Sequence, residues 1–258
     1  MKFVRILHED AYQWGVLEDK YVRLIDGAPY EDWSYLGTEI KAAKAVLRAP
    51  ATSGKIVCVG KNYADHAAEL GSDVPDHPIL FIKPSTCINH PGAEIPYPNS
   101  VDRLDYEGEL ALVIGRRASR VKPQNADQYI CGFTVMNDVT ARDVQQKDGQ
   151  WTRAKSYDGF APIGPCIVTD LDWRELPVTT RLNGEVRQQG NTKQFLWDIP
   201  TLLAFITEAI TLEPGDVVST GTPAGIGAMQ IGDTVEVEIP GIGVLKNTVG
   251  RRKGDVRA

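Results

Sequence analysis

The sequence predicts an α+β fold in which a rolled, mixed β-sheet dominates and helices are few. Three observations lead to this prediction. Short strand-like apolar runs outnumber helical segments in the larger part of the chain, and they do not alternate regularly with helices. No G-x-G-x-x-G motif follows a strand-like run, so Rossmann and TIM-barrel architectures are disfavoured. The length of 258 residues suffices for one large core and a small accessory domain.

Residues 1–51 are predicted to form a small β-rich domain. Apolar and polar residues alternate over 14–17 and 21–25, as they do in half-buried strands, and a helix is predicted over 38–48. A stretch containing Pro, Ser and Gly then has the composition of a linker. We therefore place a domain boundary after residue 51 and assign residues 52–258 to a second, larger domain.

The larger domain is predicted to consist mainly of strands. Helices are predicted to begin near Asn62, near Thr140, where Thr140-x-x-Asp143 is similar to a capping box, and near Pro200, where proline suits the first turn. Asn183-Gly184 lies between two strand-like runs and predicts a tight hairpin turn. The predicted strands are residues 55–59, 79–82, 110–114, 129–136, 166–168, 178–182, 216–219, 234–239 and 243–249.

Composition argues against several classes of protein. The net charge is −6 and basic residues are dispersed apart from a short cluster at 251–253, so no nucleic-acid partner is expected. No apolar segment approaches the roughly 20 residues that span a bilayer, and the first residues lack a signal-like apolar region. We expect a cytoplasmic protein with no membrane partner. The four cysteines form no C-x-x-C motif and are expected to be small buried residues rather than zinc ligands.

Two carboxylates stand two residues apart at the start of an apolar strand-like run. Glu107 and Glu109 therefore point to the same face of a sheet, and Asp138 ends another such run. Spacing alone is also compatible with the solvated face of an edge strand. In a half-buried setting, however, such carboxylates need a cation, and oxygen ligands of this kind suit Mg²⁺, Mn²⁺ or Ca²⁺. We predict that these three residues bind a metal ion.

Six segments in order along the chain carry the residues that suggest chemistry. They are 59–69 (VGKNYADHAAE), 81–85 (FIKPS), 105–110 (DYEGEL), 137–145 (NDVTARDVQ), 154–158 (AKSYD) and 220–227 (TGTPAGIG). Together they resemble the fumarylacetoacetate hydrolase family over residues 55–249. The resemblance implies a mixed β-sandwich roll that is usually a homodimer. It also implies that Glu107, Glu109 and Asp138 hold Mg²⁺, with Mn²⁺ as a possible substitute.

His66 and Glu69 are three residues apart at the start of a predicted helix, where the carboxylate can hold the imidazole in one tautomer. The pair is also compatible with an ordinary helix surface. By resemblance it is a catalytic dyad that activates water, on a lid spanning residues 61–75. The resemblance further implies that Lys155 stabilises an oxyanion as a third catalytic residue.

Four more residues are candidates for holding the substrate. Lys61 stands where relatives often place a basic residue, and Gln145 is expected to bind substrate or a metal-bound water. Arg142 either assists the chemistry or braces the site through Asp143. Thr222 and the glycines that follow Pro223 can turn a hydroxyl and backbone N–H groups toward a carboxylate, although a plain tight turn has the same sequence.

The family acts on small 2-oxo acids and 1,3-dicarbonyl compounds. A 2-oxo acid chelates a hard cation, which stabilises the enolate common to several reactions. The leading expectation is Mg²⁺-dependent hydrolysis of a carbon–carbon bond in an acylpyruvate. The alternatives are an oxaloacetate decarboxylase, a keto–enol tautomerase, or a 2-hydroxyhepta-2,4-diene-1,7-dioate isomerase of aromatic catabolism. A non-catalytic, metal-stabilised structural protein is the contrasting possibility, disfavoured because it has no use for a water-activating dyad.

Overall fold

The computed structural model describes residues 1–51, 54–69, 71 and 73–252. Strands dominate this part of the chain and are both parallel and antiparallel, while the α-helices are short and few. The predicted α+β class with a mixed sheet is confirmed. None of the helices in the described ranges is long and apolar enough to cross a bilayer.

The first 51 residues form strands that join the large sheet. They are β1 Lys2–His8, β2 Ala11–Glu18, β3 Tyr21–Asp26, β4 Ser34–Lys41 and β5 Val46–Arg48. β1 pairs with a later strand, Ala161–Val168, through Lys2↔Val168 and Phe3↔Ile167. The N-terminal strands are thus continuous with the rest of the sheet, and the division into two domains after residue 51 stays a prediction.

The helix predicted over 38–48 is wrong. This stretch contains the end of β4, a single 3₁₀ turn at Ala42–Lys44, and β5. β4 is exposed along nearly its whole length, so a helix here would have no apolar face to bury. Pairing of the backbone with β3 and β1 outweighs the local helix preference of the Ala and Lys residues.

The strands predicted after residue 55 are all present, most with ends shifted by one or two residues. Residues 166–168 are the last part of a longer strand. The strands are β6 Lys55–Gly60, β7 Ile79–Pro84, β8 Ile88–Asn89, β9 Glu94–Tyr97, β10 Leu104–Tyr106, β11 Gly108–Ile114, β12 Ile130–Asn137, β13 Thr140–Ala141, β14 Ala161–Val168, β15 Pro177–Leu182, β16 Glu185–Asn191, β17 Val217–Ser219, β18 Gly227–Met229, β19 Thr234–Ile239 and β20 Gly243–Arg251.

Two sheets pack face to face around the main core. The large sheet has the order β4-β3-β2-β1-β14-β12-β11-β17-β6-β7, and the second has the order β16-β15-β19-β20-β9. Apolar side chains of β11 and β12 in the first sheet meet those of β15, β19 and β20 in the second, in one buried cluster. A small third sheet, β13-β10-β18, lies beside them and carries its own apolar cluster.

In the described part of the chain, four α-helices connect these strands. They are α1 Ala64–Glu69, α2 Arg142–Asp148, α3 Thr152–Lys155 and α4 Ile199–Ala209. The three helices predicted after residue 52 are all present, and α4 has proline in its first turn as expected. The predicted capping box of α2 is wrong, because the Thr140 hydroxyl donates instead to the carbonyl of Asp138, at 2.9 Å. That bond belongs to the turn that follows β12.

The predicted hairpin at Asn183-Gly184 is confirmed. Leu182 pairs with Glu185, which leaves a two-residue turn, and both turn residues have positive φ, of 53° and 84°. These are the angles of a type I′ turn, which Asn-Gly favours.

Strand β11 lies in the interior of the large sheet, between β12 and β17, and all of its residues are buried. The edge-strand interpretation of Glu107 and Glu109 is therefore wrong. Gly108 pairs with Asn137, and the N–H of Asp138 donates to the carbonyl of Glu107 at 2.8 Å. The start of β11 and the end of β12 thus bring the two glutamates and Asp138 together.

Replacement of Gly108 by alanine should destabilise the protein by about 1–3 kcal/mol, because the new methyl group overpacks the interface between the sheets. Its Cβ would lie 2.2 Å from Thr180 Oγ1 and 2.9 Å from Val237 Cγ1. Gly54→Ala is the matched control, since the nearest atom there, Asp216 Oδ1, is 3.7 Å away. Urea unfolding compares the two variants, and equal midpoints would contradict the packing argument.

Candidate active site

Three buried carboxylates form the centre of the site. One oxygen each from Glu107, Glu109 and Asp138 can be chosen so that all three lie within 4.8 Å of one another. Glu107 is held just before β11 by its N–H, which donates to the side-chain carbonyl of Asn137 at 2.9 Å. The three residues predicted as metal ligands therefore meet where β11 begins and β12 ends.

The electrostatics of the two glutamates differ. Burial, reinforced by the charges of Asp138 and Glu107, raises the pKa of Glu109 to about 8. Burial also acts to raise the pKa of Glu107, but Lys155 and Arg142 outweigh it and hold this pKa well below its usual value. The ionised form of Glu109 is therefore disfavoured, and a cation next to it would favour that form. The all-oxygen donor set of the cluster fits a hard divalent cation.

Lys155 borders the carboxylates at the end of α3. Its ammonium donates to Glu107 Oε2 and to Asp138 Oδ2, at 2.7 Å each. Burial acts to lower its pKa, but the two carboxylates outweigh it and raise the pKa above its usual value. Lys155 therefore stays positively charged, which suits stabilisation of an oxyanion better than proton abstraction.

Lys83 is a site residue that the sequence analysis did not identify. It is completely buried on β7, and its three N–H groups donate to Asp138 Oδ1 at 2.5 Å, to Phe160 O at 2.8 Å and to Val139 O at 3.2 Å. Its position inside the segment 81–85, where a lysine interrupts an apolar strand, was the available signal. Lys83 therefore fixes the orientation of the Asp138 carboxylate.

Arg142 braces the site, but not through Asp143. Its Nε donates to Asp105 Oδ2 at 2.8 Å, a second nitrogen donates to Glu107, and a third donates to Gln145 at 2.5 Å. Asp105 also accepts from Arg103 Nε at 2.8 Å. Asp105 was missed although it begins the segment 105–110. The substrate-binding roles of Arg142 and Gln145 stay predictions.

His66 and Glu69 form the predicted pair on α1. Nδ1 of the buried imidazole lies 3.2 Å from Glu69 Oε2. An ionised carboxylate accepts a hydrogen bond from Nδ1–H, which leaves Nε2 free to accept a proton. The lid assigned to residues 61–75 stays a prediction, and its residues 70 and 72 lie outside the described part of the chain.

A cavity of about 240 Å³ opens onto the carboxylates. Its apolar wall contains Phe81 and Trp151, whose rings meet edge to face at 5.4 Å. Gly60 lacks a side chain where a Cβ would lie 2.5 Å from the Trp151 ring. Every predicted site residue except Glu69 lines this cavity: Lys61, His66, Glu107, Glu109, Asp138, Arg142, Gln145, Lys155 and Thr222.

The Thr222 hydroxyl is already hydrogen-bonded within the protein. It donates to Gly108 O at 3.0 Å and accepts from Gln188 Nε2 at 2.7 Å. Its single proton is therefore not available to a substrate carboxylate while these bonds persist. Gln188 also binds Pro223 O and the Gly108 N–H, at 2.8 and 2.9 Å, and so ties β16 to the residue between the two glutamates. No motif pointed to Gln188.

Comparisons with known families cover nearly the whole chain. The profile described as "Fumarylacetoacetate (FAA) hydrolase C-terminal" matches residues 55–250. The profile described as "Rv2993c-like, N-terminal" matches residues 1–50. Oxaloacetate tautomerase YisK from Bacillus subtilis is 40% identical over 214 residues, which cover 78% of this chain and 71% of that protein.

Solved structures are also similar to this chain. The crystal structure of 2-hydroxyhepta-2,4-diene-1,7-dioate isomerase from Mycobacterium marinum superposes with a TM-score of 0.91 at 40% identity, covering 99% of this chain and 100% of that one. The structure of fumarylpyruvate hydrolase from Pseudomonas aeruginosa, in complex with Mn²⁺ and pyruvate, has a TM-score of 0.72 at 32% identity. The match covers 77% of this chain and 90% of that one.

Substitution of Glu109 by glutamine should weaken binding of Mg²⁺ by more than about 100-fold, because it removes a charged ligand from the cluster. Calorimetric titration with Mg²⁺ and with Mn²⁺ measures the loss. Glu208→Gln, on the exposed face of α4, is the control and should leave binding unchanged. Retained affinity in Glu109→Gln would remove Glu109 from the ligand set.

Substitution of Lys83 by methionine should destabilise the protein by about 3–5 kcal/mol, because Asp138 loses a buried counterion and two carbonyls lose a donor. Urea unfolding in the presence of a chelator measures this change. Lys193→Met breaks an exposed ion pair with Glu175 and should have little effect. Similar unfolding midpoints for the two variants would show that the ion pair of Lys83 with Asp138 does not stabilise the protein.

Proposed function

Because the chain belongs to the fumarylacetoacetate hydrolase family, we propose that it is a divalent-metal-dependent enzyme that interconverts the keto and enol forms of a small 2-oxo diacid such as oxaloacetate. The observation that carries this proposal is that a potential base, His66, and a fixed cation, Lys155, border the same cavity as the carboxylate cluster. A relative named as an oxaloacetate tautomerase, 40% identical, supports it.

The carboxylate cluster is the place for the cation, and we propose Mg²⁺ with Mn²⁺ as a substitute. When bound by Glu107, Glu109 and Asp138, such an ion would polarise the keto group of a 2-oxo acid and stabilise negative charge on its oxygen. Lys83 and Arg142 fix the orientation of Asp138 and Glu107. The protein's own contacts therefore hold Asp138 and Glu107 in position.

His66 is the proposed base. Its Nε2 takes a proton from the carbon next to the keto group, and the electron pair of that C–H bond forms the enolate. Glu69, on the other ring nitrogen, stabilises the imidazolium that results. The imidazolium then gives a proton to the enolate oxygen, directly or through a water molecule that passes on one of its own protons, which completes the conversion to the enol.

Lys155 is the proposed electrostatic partner of the enolate. Two of its N–H groups are hydrogen-bonded to Glu107 and Asp138, so a third remains to donate to a substrate oxygen. Lys61 and Gln145 line the same cavity and are proposed to bind the distal carboxylate. The apolar wall of Phe81 and Trp151 leaves room for a short carbon chain between these groups.

Hydrolysis of a carbon–carbon bond is the second candidate function. The His66–Glu69 pair is also suited to activating a water molecule, and the 32% identical fumarylpyruvate hydrolase supports this alternative. Decarboxylation of oxaloacetate and isomerisation of a diene-dioate also place negative charge on a keto oxygen. A homodimer in the cytoplasm completes the proposal, and the homodimer rests on the family resemblance.

Product analysis separates these reactions. With Mg²⁺, the purified protein should accelerate the loss of enol absorbance of oxaloacetate without releasing pyruvate, and excess chelator should abolish the acceleration. Acetylpyruvate, offered separately, should remain intact. Release of acetate and pyruvate from acetylpyruvate would make the protein a hydrolase, and release of pyruvate from oxaloacetate would make it a decarboxylase.

Substitution of His66 by alanine should lower the tautomerisation rate by about 10²–10⁴-fold, the usual contribution of a general base. Its affinity for Mg²⁺ should stay within about threefold, since His66 is not a ligand in the proposed cluster. His77→Ala is the control, because His77 is exposed and packs against Phe205 on α4. An unchanged rate in His66→Ala would show that His66 is not the base.

A further inference from the structure

Glu69 has a second hydrogen-bond partner besides His66. The backbone N–H of Gly225 donates to both oxygens of the Glu69 carboxylate, at 3.0 and 3.2 Å. At the other end of α1, Tyr63 is tied to Phe195 by a bridge and by a ring contact. The bond to Gly225 therefore holds the C-terminal end of α1, where Glu69 lies.

The Gly225 peptide is itself rigidly held. The φ angle of this residue is +99°, and a Cβ here would lie 2.1 Å from the carbonyl oxygen of Arg187, so only glycine fits. Its carbonyl accepts a hydrogen bond from the Tyr106 hydroxyl at 3.0 Å. Because both sides of this residue are engaged, its N–H has a fixed direction toward Glu69.

Tyr106 supplies the other end of this connection. It is the last residue of β10, it is buried, and it directly precedes Glu107 in the chain. In the pairing of β10 with β18, Tyr106 lies opposite Gly227, where a Cβ would come within 2.7 Å of the Tyr106 hydroxyl.

We propose that Tyr106 is a positioning residue that fixes the His66–Glu69 dyad relative to the carboxylate cluster. The connection runs from Glu107 through the backbone to Tyr106, from its hydroxyl to Gly225, and from the Gly225 N–H to Glu69. Held in this way, Glu69 presents one oxygen to His66 Nδ1 and keeps Nε2 directed at the substrate. Only the kinetic consequence of this proposal rests on the proposed function.

Tyr106→Phe tests it by removing the hydroxyl and keeping the ring. The chain has four histidines, so long-range ¹H–¹⁵N spectra resolve each imidazole, and His66→Ala assigns the signals of His66. In the unsubstituted protein, His66 should be the Nδ1–H tautomer. In Tyr106→Phe, it should become a mixture of both tautomers.

Tyr97→Phe is the matched control. The Tyr97 hydroxyl also donates to a backbone carbonyl, that of Asp102, at 3.1 Å, but this bond is not connected to the dyad. Its loss should leave the tautomer of His66 unchanged. Equal effects of the two substitutions, or an unchanged tautomer in Tyr106→Phe, would overturn the proposal. Mg²⁺ titration and thermal unfolding establish that each variant is folded.

Kinetics provides the second readout. Tyr106→Phe should lower kcat by about 10-fold, because a misplaced base costs rate, while KM and Mg²⁺ affinity stay within about twofold. If Tyr106 acts through Glu69, the double variant Tyr106→Phe/Glu69→Gln should be no slower than Glu69→Gln alone. If the rate losses of the two single variants multiply in the double variant, Tyr106 does not act through Glu69. A tautomer change without turnover of any 2-oxo acid would support the positioning role and refute the proposed function.

Discussion

The burial of three carboxylates in one small volume is the constraint on which the rest of the site depends. An unpaired charge in the interior costs several kcal/mol, so cations must reach Glu107 and Asp138 from elsewhere in the chain. They come from three separate elements, with Lys83 on β7, Arg142 at the start of α2 and Lys155 at the end of α3. These ion pairs determine where β7, α2 and α3 lie around the ends of β11 and β12.

The two glutamates of the cluster differ in what stabilises their charge. Arg142 and Lys155 stabilise the ionised form of Glu107. Among the described residues, the hydrogen bonds that Glu109 accepts come from neutral groups, the Ser219 hydroxyl and the Gly221 N–H. Burial, with the charges of Asp138 and Glu107, raises the pKa of Glu109 and so disfavours its ionised form. A divalent cation bound next to Glu109 would favour the ionised form instead.

The two lysines at Asp138 have different functions despite their similar contacts. Lys83 uses all three N–H groups on fixed protein acceptors, so it has nothing left to offer a substrate. Lys155 uses two and borders the cavity. His66, Lys155 and the carboxylate cluster border the same cavity. Proteins named as a tautomerase, an isomerase and a hydrolase are all similar to this chain, so one framework serves different reactions.

The sequence by itself determined features that depend on neighbouring residues. Three of these features are local: strand alternation, the Asn183-Gly184 turn, and the two-residue spacing of Glu107 and Glu109. The six ordered segments, of which the first is 59–69 and the last is 220–227, indicated the family. The tertiary structure alone decided the contacts between distant residues. Lys83 reaches Asp138 across 55 positions, and Gln188 reaches Gly108 across 80. It also decided that residues 38–48 are not a helix, because strand pairing over long distances outweighs a local preference of a few tenths of a kcal/mol per residue.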